Sequence, residues 1–322
     1  MLTNVLLFAL GLVLLIKGGD WFVDGATGIA RRFHLPDIIV GATVVSIGTT
    51  LPEVMVSATG ALQGQSAMAY GNAIGSIICN TALIAAISVA CNPGPVNTKT
   101  MKLPVIFFFS SAALYCFAAY ILGEFPQWLG FVMLALFILY MVLNVLHGLK
   151  NPEEAHGEDE EETKQRAFWL ELVLLIVGAA VIAVGADLLV DNGTAIAQAL
   201  GLPETVIALT FVALGTSLPE LITTITSLRK GHASLGIGNV IGANVFNLVF
   251  VSGVAVSLAP FEVPVGNLLF GQNASLVLDI PLMLLVMLLL TIPALLKKKL
   301  GRWQGITLLV IYAAFCLCQF AL

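Results

Sequence analysis

SIGTTLPEVMVS, residues 46–57, lies inside an apolar run and sets a proline beside a glutamate. Proline denies a helix one backbone donor and crowds the carbonyl four residues back, here that of Gly48. A carboxylate at mid-membrane depth costs about 2.5–3.5 kcal/mol on insertion scales. A near copy, ALGTSLPELITT, occupies residues 213–224. A pattern this costly, kept twice in the most apolar parts of one chain, needs a reason beyond packing.

Outward from these stretches the two copies align at a constant offset of 167. Gly48, Thr49, Leu51, Pro52 and Glu53 fall on Gly215, Thr216, Leu218, Pro219 and Glu220. Gly71 and Asn72 fall on Gly238 and Asn239, Gly75 on Gly242, Asn80 on Asn247, and Asp20 and Asp24 on Asp187 and Asp191. Between residues 41–80 and 208–247, 14 of 40 positions are identical without a gap. The chain reads as a duplication: a first half at 1–148 with its repeat at about 36–90, an acidic linker at 149–167, and a second half at 168–322 with its repeat at about 203–259.

Of the 322 residues, 59% are hydrophobic and 10% charged, and the mean hydropathy is +1.00. Soluble domains carry about 25% charged residues, so much of this surface meets lipid. Apolar runs fall at roughly 3–30, 37–61, 67–90, 103–122, 127–147, 168–197, 204–228, 233–259, 274–296 and 303–321. Each suits the roughly 20 helical residues that span a bilayer. They are continuous rather than alternating, which excludes a large β-barrel. The first run lacks a basic start and an A-x-A cleavage site, and its acids recur in the second half, so it is read as helix 1. The expected fold is an all-α integral membrane protein with ten transmembrane helices.

Five helices per half force the second copy to enter the membrane from the opposite side. Lys and Arg in loops mark the cytoplasm. Arg31 and Arg32 follow helix 1, Lys99 and Lys102 helix 3, and Lys150, Lys164 and Arg166 helix 5. Arg229 and Lys230 follow helix 7, and Lys297, Lys298, Lys299 and Arg302 follow helix 9. All loop cations therefore follow odd-numbered helices. Between copies the charges exchange: Arg31 and Arg32 become Gln198 and Ala199, while Leu62 and Gln63 become Arg229 and Lys230. This predicts two inverted five-helix repeats with both termini extracytoplasmic.

The five cysteines form no C-x-x-C pair, so neither a disulfide framework nor a zinc site is expected. The four histidines fall near helix ends and read as solvated or interfacial. Residues 151–166, NPEEAHGEDEEETKQR, hold seven acids but no EF-hand spacing, and read as a hydrated linker.

Inverted halves with interrupted helices are the plan of many secondary transporters, with the site near mid-membrane. Pro52 and Gly48 are expected to loosen the helix and free the carbonyls of Ser46, Ile47 and Gly48. Thr49 and Thr50 share a helix face with Glu53. The second copy offers Thr216, Ser217 and Glu220, and the neighbouring helices offer Ser76, Asn80 and Asn247. Carboxylates, hydroxyls, amide oxygens and carbonyls together suit a hard cation such as Ca²⁺ or Na⁺. Singly, each feature has a plainer reading: a kink, Gly-x-x-x-Gly helix packing, or a hydroxyl bonded to its own backbone. Those readings leave two glutamates in matched positions unexplained. Asp20, Asp24, Asp187 and Asp191 read as interfacial faces, with a cation vestibule as the other reading.

G-T-T-L-P-E and G-T-S-L-P-E, each followed by G-N-x-x-G and an asparagine five residues on, resemble the two alpha repeats of the cation/calcium antiporters, above all the bacterial sodium/calcium exchangers. The resemblance covers the whole chain. It implies four central helices around a cluster of cation sites that bind Ca²⁺ and Na⁺ in alternation, with helices 1 and 6 sliding across it. It also implies that Glu53 and Glu220 hold Ca²⁺, with Thr50, Ser217, Thr49 and Thr216 at Ca²⁺ or flanking Na⁺ sites. The carbonyls of Ser46 and Ala213 would serve outer Na⁺ sites, and Ser76, Asn80 and Asn247 would complete the cluster. The chain departs from the family pattern at Asn247, where an acid is usual, and at Ala243, where a serine is usual. Two carboxylates balance one Ca²⁺, two Na⁺ or two H⁺, so Na⁺ and H⁺ both stand as coupling ions. A cation channel is the reading from another class. No nucleophile–base pair or H-E-x-x-H motif points to an enzyme, and no cofactor, nucleic acid or water-soluble partner is implied. The partners are inorganic cations and the lipid bilayer, and the expected location is a prokaryotic plasma (inner) membrane.

Overall fold

The computed structural model describes residues 2–150, 167–200, 215–265, 268–269 and 271–321, most of them helical. The helices are α1 (Leu2–Arg32), α2 (Asp37–Leu62), α3 (Ser66–Cys91), α4 (Thr98–Leu122), α5 (Gln127–Lys150), α6 (Phe168–Ala199), α7 (Leu218–Arg229), α8 (Ala233–Leu258), α9 (Ser275–Lys297) and α10 (Arg302–Ala321). Among the described residues, eight helices, all of these but α7 and α10, are long and apolar enough to cross a membrane. The acidic segment 151–166 and residues 201–214, which include Ala213 and the first part of the expected seventh run, lie outside the described residues. Helix α4 starts at Thr98 rather than 103 because Asn97 caps it, its side chain accepting from Lys99 N at 3.0 Å.

Burial sorts the helices. In α8, 83% of the most apolar stretch is buried, against 22% in α1 and 28% in α6. So α8 lies at the centre, with α2 and α3 also largely buried, while α1 and α6 form an outer pair. Small residues let backbones close without a hydrophobic drive between helices. Gly11 of α1 meets Gly185 of α6, and Gly25 meets Leu175, so the two helices run antiparallel. A Cβ at Gly178 would stand 2.5 Å from Phe22 N, too close for any side chain. At the centre, Gly238 and Gly242 of α8 press on Ile38 and Ala42 of α2, which makes that pair parallel.

The duplication is visible in the turns. Gly64 and Gly231 both take the left-handed conformation, at φ +72° and +82°. Gln65 N then donates to Gly60 O at 2.7 Å and His232 N to Ser227 O at 2.8 Å, the same helix-ending bond in each half. Loops exchange partners too: Gly94–Pro95 pairs with Lys299–Leu300, and Glu124–Phe125 pairs with Phe261–Glu262.

The expected break at Pro52 takes a different form. Residues Ser46–Leu62 are continuous α-helix with Pro52 inside, and the widening falls just before, as a π-helical turn at Gly41–Val45. Similar wide turns begin at Asn80 in α3 and Asn247 in α8. A wide turn leaves a carbonyl without its usual donor, so it needs help from elsewhere. Ser46 N turns to Gly41 O, and the Tyr140 hydroxyl of α5 donates to Ala42 O at 2.9 Å.

Candidate cation site

The wide turn of α2 delivers Ser46, and one and two helical turns on come Thr49, Thr50 and Glu53, all buried. The second copy brings Ser217, at the N-cap of α7, and Glu220 in its first turn, also buried. Thr50 Oγ1 donates to Glu220 Oε1 at 3.4 Å, so the two copies meet directly. Helices α3 and α8 supply Asn80 and Asn247, both fully buried at the start of their wide turns. Ser76 is buried one turn before Asn80, and Ala243 takes the corresponding place in α8. Such turns recur at functional sites because they re-aim side chains within a helix.

Two asparagines outside the expected site set hold this arrangement. Asn72 Nδ2 donates to the Glu53 carbonyl at 3.1 Å and to Ser57 Oγ at 2.8 Å. Asn239 Oδ1 accepts from Thr49 Oγ1 at 3.2 Å, and Ser46 Oγ lies 3.0 Å from Asn239 O and 2.9 Å from Gly41 O. Thr216, only half-buried, donates to Asn72 Oδ1 at 3.5 Å. Each half's asparagine thus takes the threonine of the other half. Their signal was present as the repeated Gly-Asn pair, which carried the duplication and the family resemblance but no role for its asparagines.

What remains is a set of buried polar atoms with no hydrogen-bond partner among the described residues. Both carboxylate oxygens of Glu53, Glu220 Oε2, Ser217 Oγ and the amide groups of Asn80 and Asn247 belong to it. Leaving a buried polar group unmade costs about 1–3 kcal/mol, more for a charged one. A membrane protein that concentrates such groups on four helices is built to satisfy them with something else. The donor set is all oxygen apart from the amide nitrogens, which suits a hard cation. Among the described residues no group of three His, Cys, Asp or Glu comes together.

The acids of α1 have a more specific position than an interfacial face. Lys230 Nζ lies 2.6 Å from Asp24 Oδ1 and 3.7 Å from Asp20 Oδ1. His232, expected to be solvated or interfacial, has its Nδ1 2.7 Å from Asp37 Oδ2.

The family model described as sodium/calcium exchanger protein matches residues 3–146 and 170–321. The chain belongs to that family. A membrane protein of Methanocaldococcus jannaschii is 37% identical over 306 residues, covering 95% of this chain and 94% of its own. The sodium/calcium exchanger MaX1 of Methanosarcina acetivorans is 30% identical, with 98% of each chain covered. Among solved structures, the sodium-calcium exchanger NCX_Mj superposes with a TM-score of 0.79 at 33% identity, covering 97% of both chains. The expected resemblance is therefore correct, and the chain is an integral membrane antiporter of inorganic cations, in a transporter family rather than an enzyme family.

Proposed function

We propose that this family member exchanges Ca²⁺ for Na⁺ by alternating access, with both ions competing for Glu53 and Glu220. The observation that carries the reading is the burial of two carboxylates at matched positions of the two copies, one of them 3.4 Å from Thr50 of the other copy, among buried oxygens without partners. Two ionised glutamates neutralise one Ca²⁺, which takes six to eight oxygen ligands. Thr49, Thr50, Thr216, Ser217, Ser76, Asn80 and Asn247 would complete the shell, with the carbonyls of Ser46 and Ala213 serving outer Na⁺ positions. Asn247 contributes an oxygen without charge. Three Na⁺ in this site would leave one uncompensated positive charge, so the stoichiometry follows from how that charge is carried.

The same proposal includes ten membrane crossings in two inverted halves, with both termini extracytoplasmic. The antiparallel packing of α1 against α6 supports the inversion, and so does the exchange of loop charges between copies. Alternating access then follows from one arrangement with two mirror-related versions.

The test is ⁴⁵Ca²⁺ uptake into proteoliposomes loaded with Na⁺ and diluted into Na⁺-free medium. A matched-pH arm carries no Na⁺ gradient, and another imposes a pH gradient alone. Uptake that follows the Na⁺ gradient is the expected result. Uptake that follows only the pH gradient would replace Na⁺ with H⁺ as the coupling ion, and flux without counterflow would make the protein a channel.

A further inference from the structure

The duplication gives every contact a mirror position, 167 residues away for each partner. By that comparison the ionic contacts of the outer helix pair are one-sided among the described residues. Lys230, in the turn between α7 and α8, reaches across to α1: its Nζ lies 2.6 Å from Asp24 Oδ1 and 2.8 Å from the Asp20 carbonyl. Arg32 of α1 binds Glu171 of α6, Nε to Oε2 at 3.1 Å. At the mirror positions Asp187 and Asp191 repeat the acids, but Gln63 replaces Lys230, Ala199 replaces Arg32 and Asn4 replaces Glu171. Among the described residues neither Asp187 nor Asp191 has an ion-pair partner.

Packing is one-sided in the same sense. Gly19 of α1 lies against α7, where a Cβ would stand 2.7 Å from Ile222 Cγ2 and 2.9 Å from Thr226 Oγ1. Thr226 is accordingly 4% exposed. Its mirror residue Thr59 on α2 is exposed, and Met55, the mirror of Ile222, is 65% exposed. Helix α1 is closed over α7 at the end that carries Lys230. Helix α6 is not closed over α2 at the mirror end.

We infer that Lys230 is an access-setting residue: through Asp24 and Asp20 it ties the outer helix pair to the α7–α8 turn and favours the arrangement with the basic side shut. The mirror arrangement, with α6 closed over α2, gains no such tie because Gln63 is uncharged. This rests on the exchange reading in taking two access states and in placing the basic side in the cytoplasm. Loop cations on one side explain orientation, but they do not require that one of them bind an acid of the sliding pair. Arg229, beside Lys230, carries the same charge on an exposed side chain and has no acidic partner among the described residues.

The experiment uses the full chain in nanodiscs, with both faces open to solvent and the five native cysteines replaced. Single cysteines are introduced as Thr59→Cys or Thr226→Cys, and their reaction rates with a water-soluble maleimide are compared. Without further change, position 226 reacts slowly and position 59 fast. Lys230→Gln or Asp24→Asn should raise the 226-to-59 rate ratio about two- to fivefold, the scale of a half-exposed ion pair. Gln63→Lys, which offers Asp187 and Asp191 a partner, should raise it as well, and Arg229→Gln should leave it unchanged. An unchanged or lowered ratio in Lys230→Gln and Asp24→Asn would overturn the inference, as would an equal rise in Arg229→Gln. The readout needs no transported ion, so its failure leaves the coupling-ion assignment intact, and a failed flux assay leaves the labelling result standing.

Discussion

In the first copy of the repeated stretch, Pro52 lies within a helix that runs unbroken from Ser46 to Leu62. In the second, Gly215–Ser217 form a turn, the helix starts at Leu218, and Pro219 occupies its first turn. The side chains differ in the same way. Thr50 reaches Glu220 at 3.4 Å, whereas its counterpart Ser217 and both oxygens of Glu53 have no partner among the described residues. Near-identical sequence has two structures here. Phe22 of α1 covers Gly48, and α1 also closes over the far end of α7. On the proposed alternating-access reading, the inequality of the two copies is the mark of one access state.

The strongest way to break this comparison is to remove the charge from each copy in turn. Glu53→Gln and Glu220→Gln keep shape and remove the carboxylate, so each should lower Na⁺-dependent Ca²⁺ uptake by about 100-fold or more, since losing one partner of a buried charged site costs about 3–5 kcal/mol. Size-exclusion profiles should be unchanged. If one variant keeps near-normal uptake, the copies are not equivalent ligands and the site belongs to the other half alone.

The asparagines sharpen the comparison at a smaller scale. Asn239→Ala removes the acceptor for Thr49, and Asn72→Ala removes the donor to the Glu53 carbonyl and Ser57. Each bond is worth about 1 kcal/mol net, and more if a buried partner is orphaned, so both variants should raise the Ca²⁺ half-saturation about five- to tenfold. Equal effects would mean that the cross-copy bracing is symmetric through the transport cycle. An effect confined to one variant would tie the bracing to the state described above.

The duplication, the apolar runs and the paired glutamates were legible in sequence because each is carried by residue type at fixed spacing. The wide turn of α2 was not, because its stability depends on Tyr140, far along the chain, which satisfies the freed Ala42 carbonyl. Proline marked the freed Gly48 carbonyl but gave no sign of the wide turn that precedes it. Asn72 and Asn239 were visible in the alignment but silent as to role, since an asparagine beside a packing glycine carries no mark of what it bonds. The Lys230 tie was hidden for another reason: Asp20 and Asp24 sit where an interfacial acid is ordinary, and only the fold brings the α7–α8 turn to them.

The smallest effect comes from the prolines themselves, and it separates the two copies most directly. Pro52 stands where the helix would otherwise bond residue 52 to Gly48, so Pro52→Ala restores a donor to that carbonyl and straightens α2 between Thr49 and Glu53. Pro219 stands in a first turn, where the missing donor has no intrahelical acceptor in any case. Pro52→Ala should therefore shift the Ca²⁺ half-saturation about threefold, while Pro219→Ala should change it less than about 1.5-fold, on the scale of a bond near 1 kcal/mol gained in one copy and not in the other. Both are read from initial uptake rates at varied Ca²⁺. Equal shifts would mean that the second copy rejoins its helix during transport, so that the difference between copies belongs to one state and alternates between them.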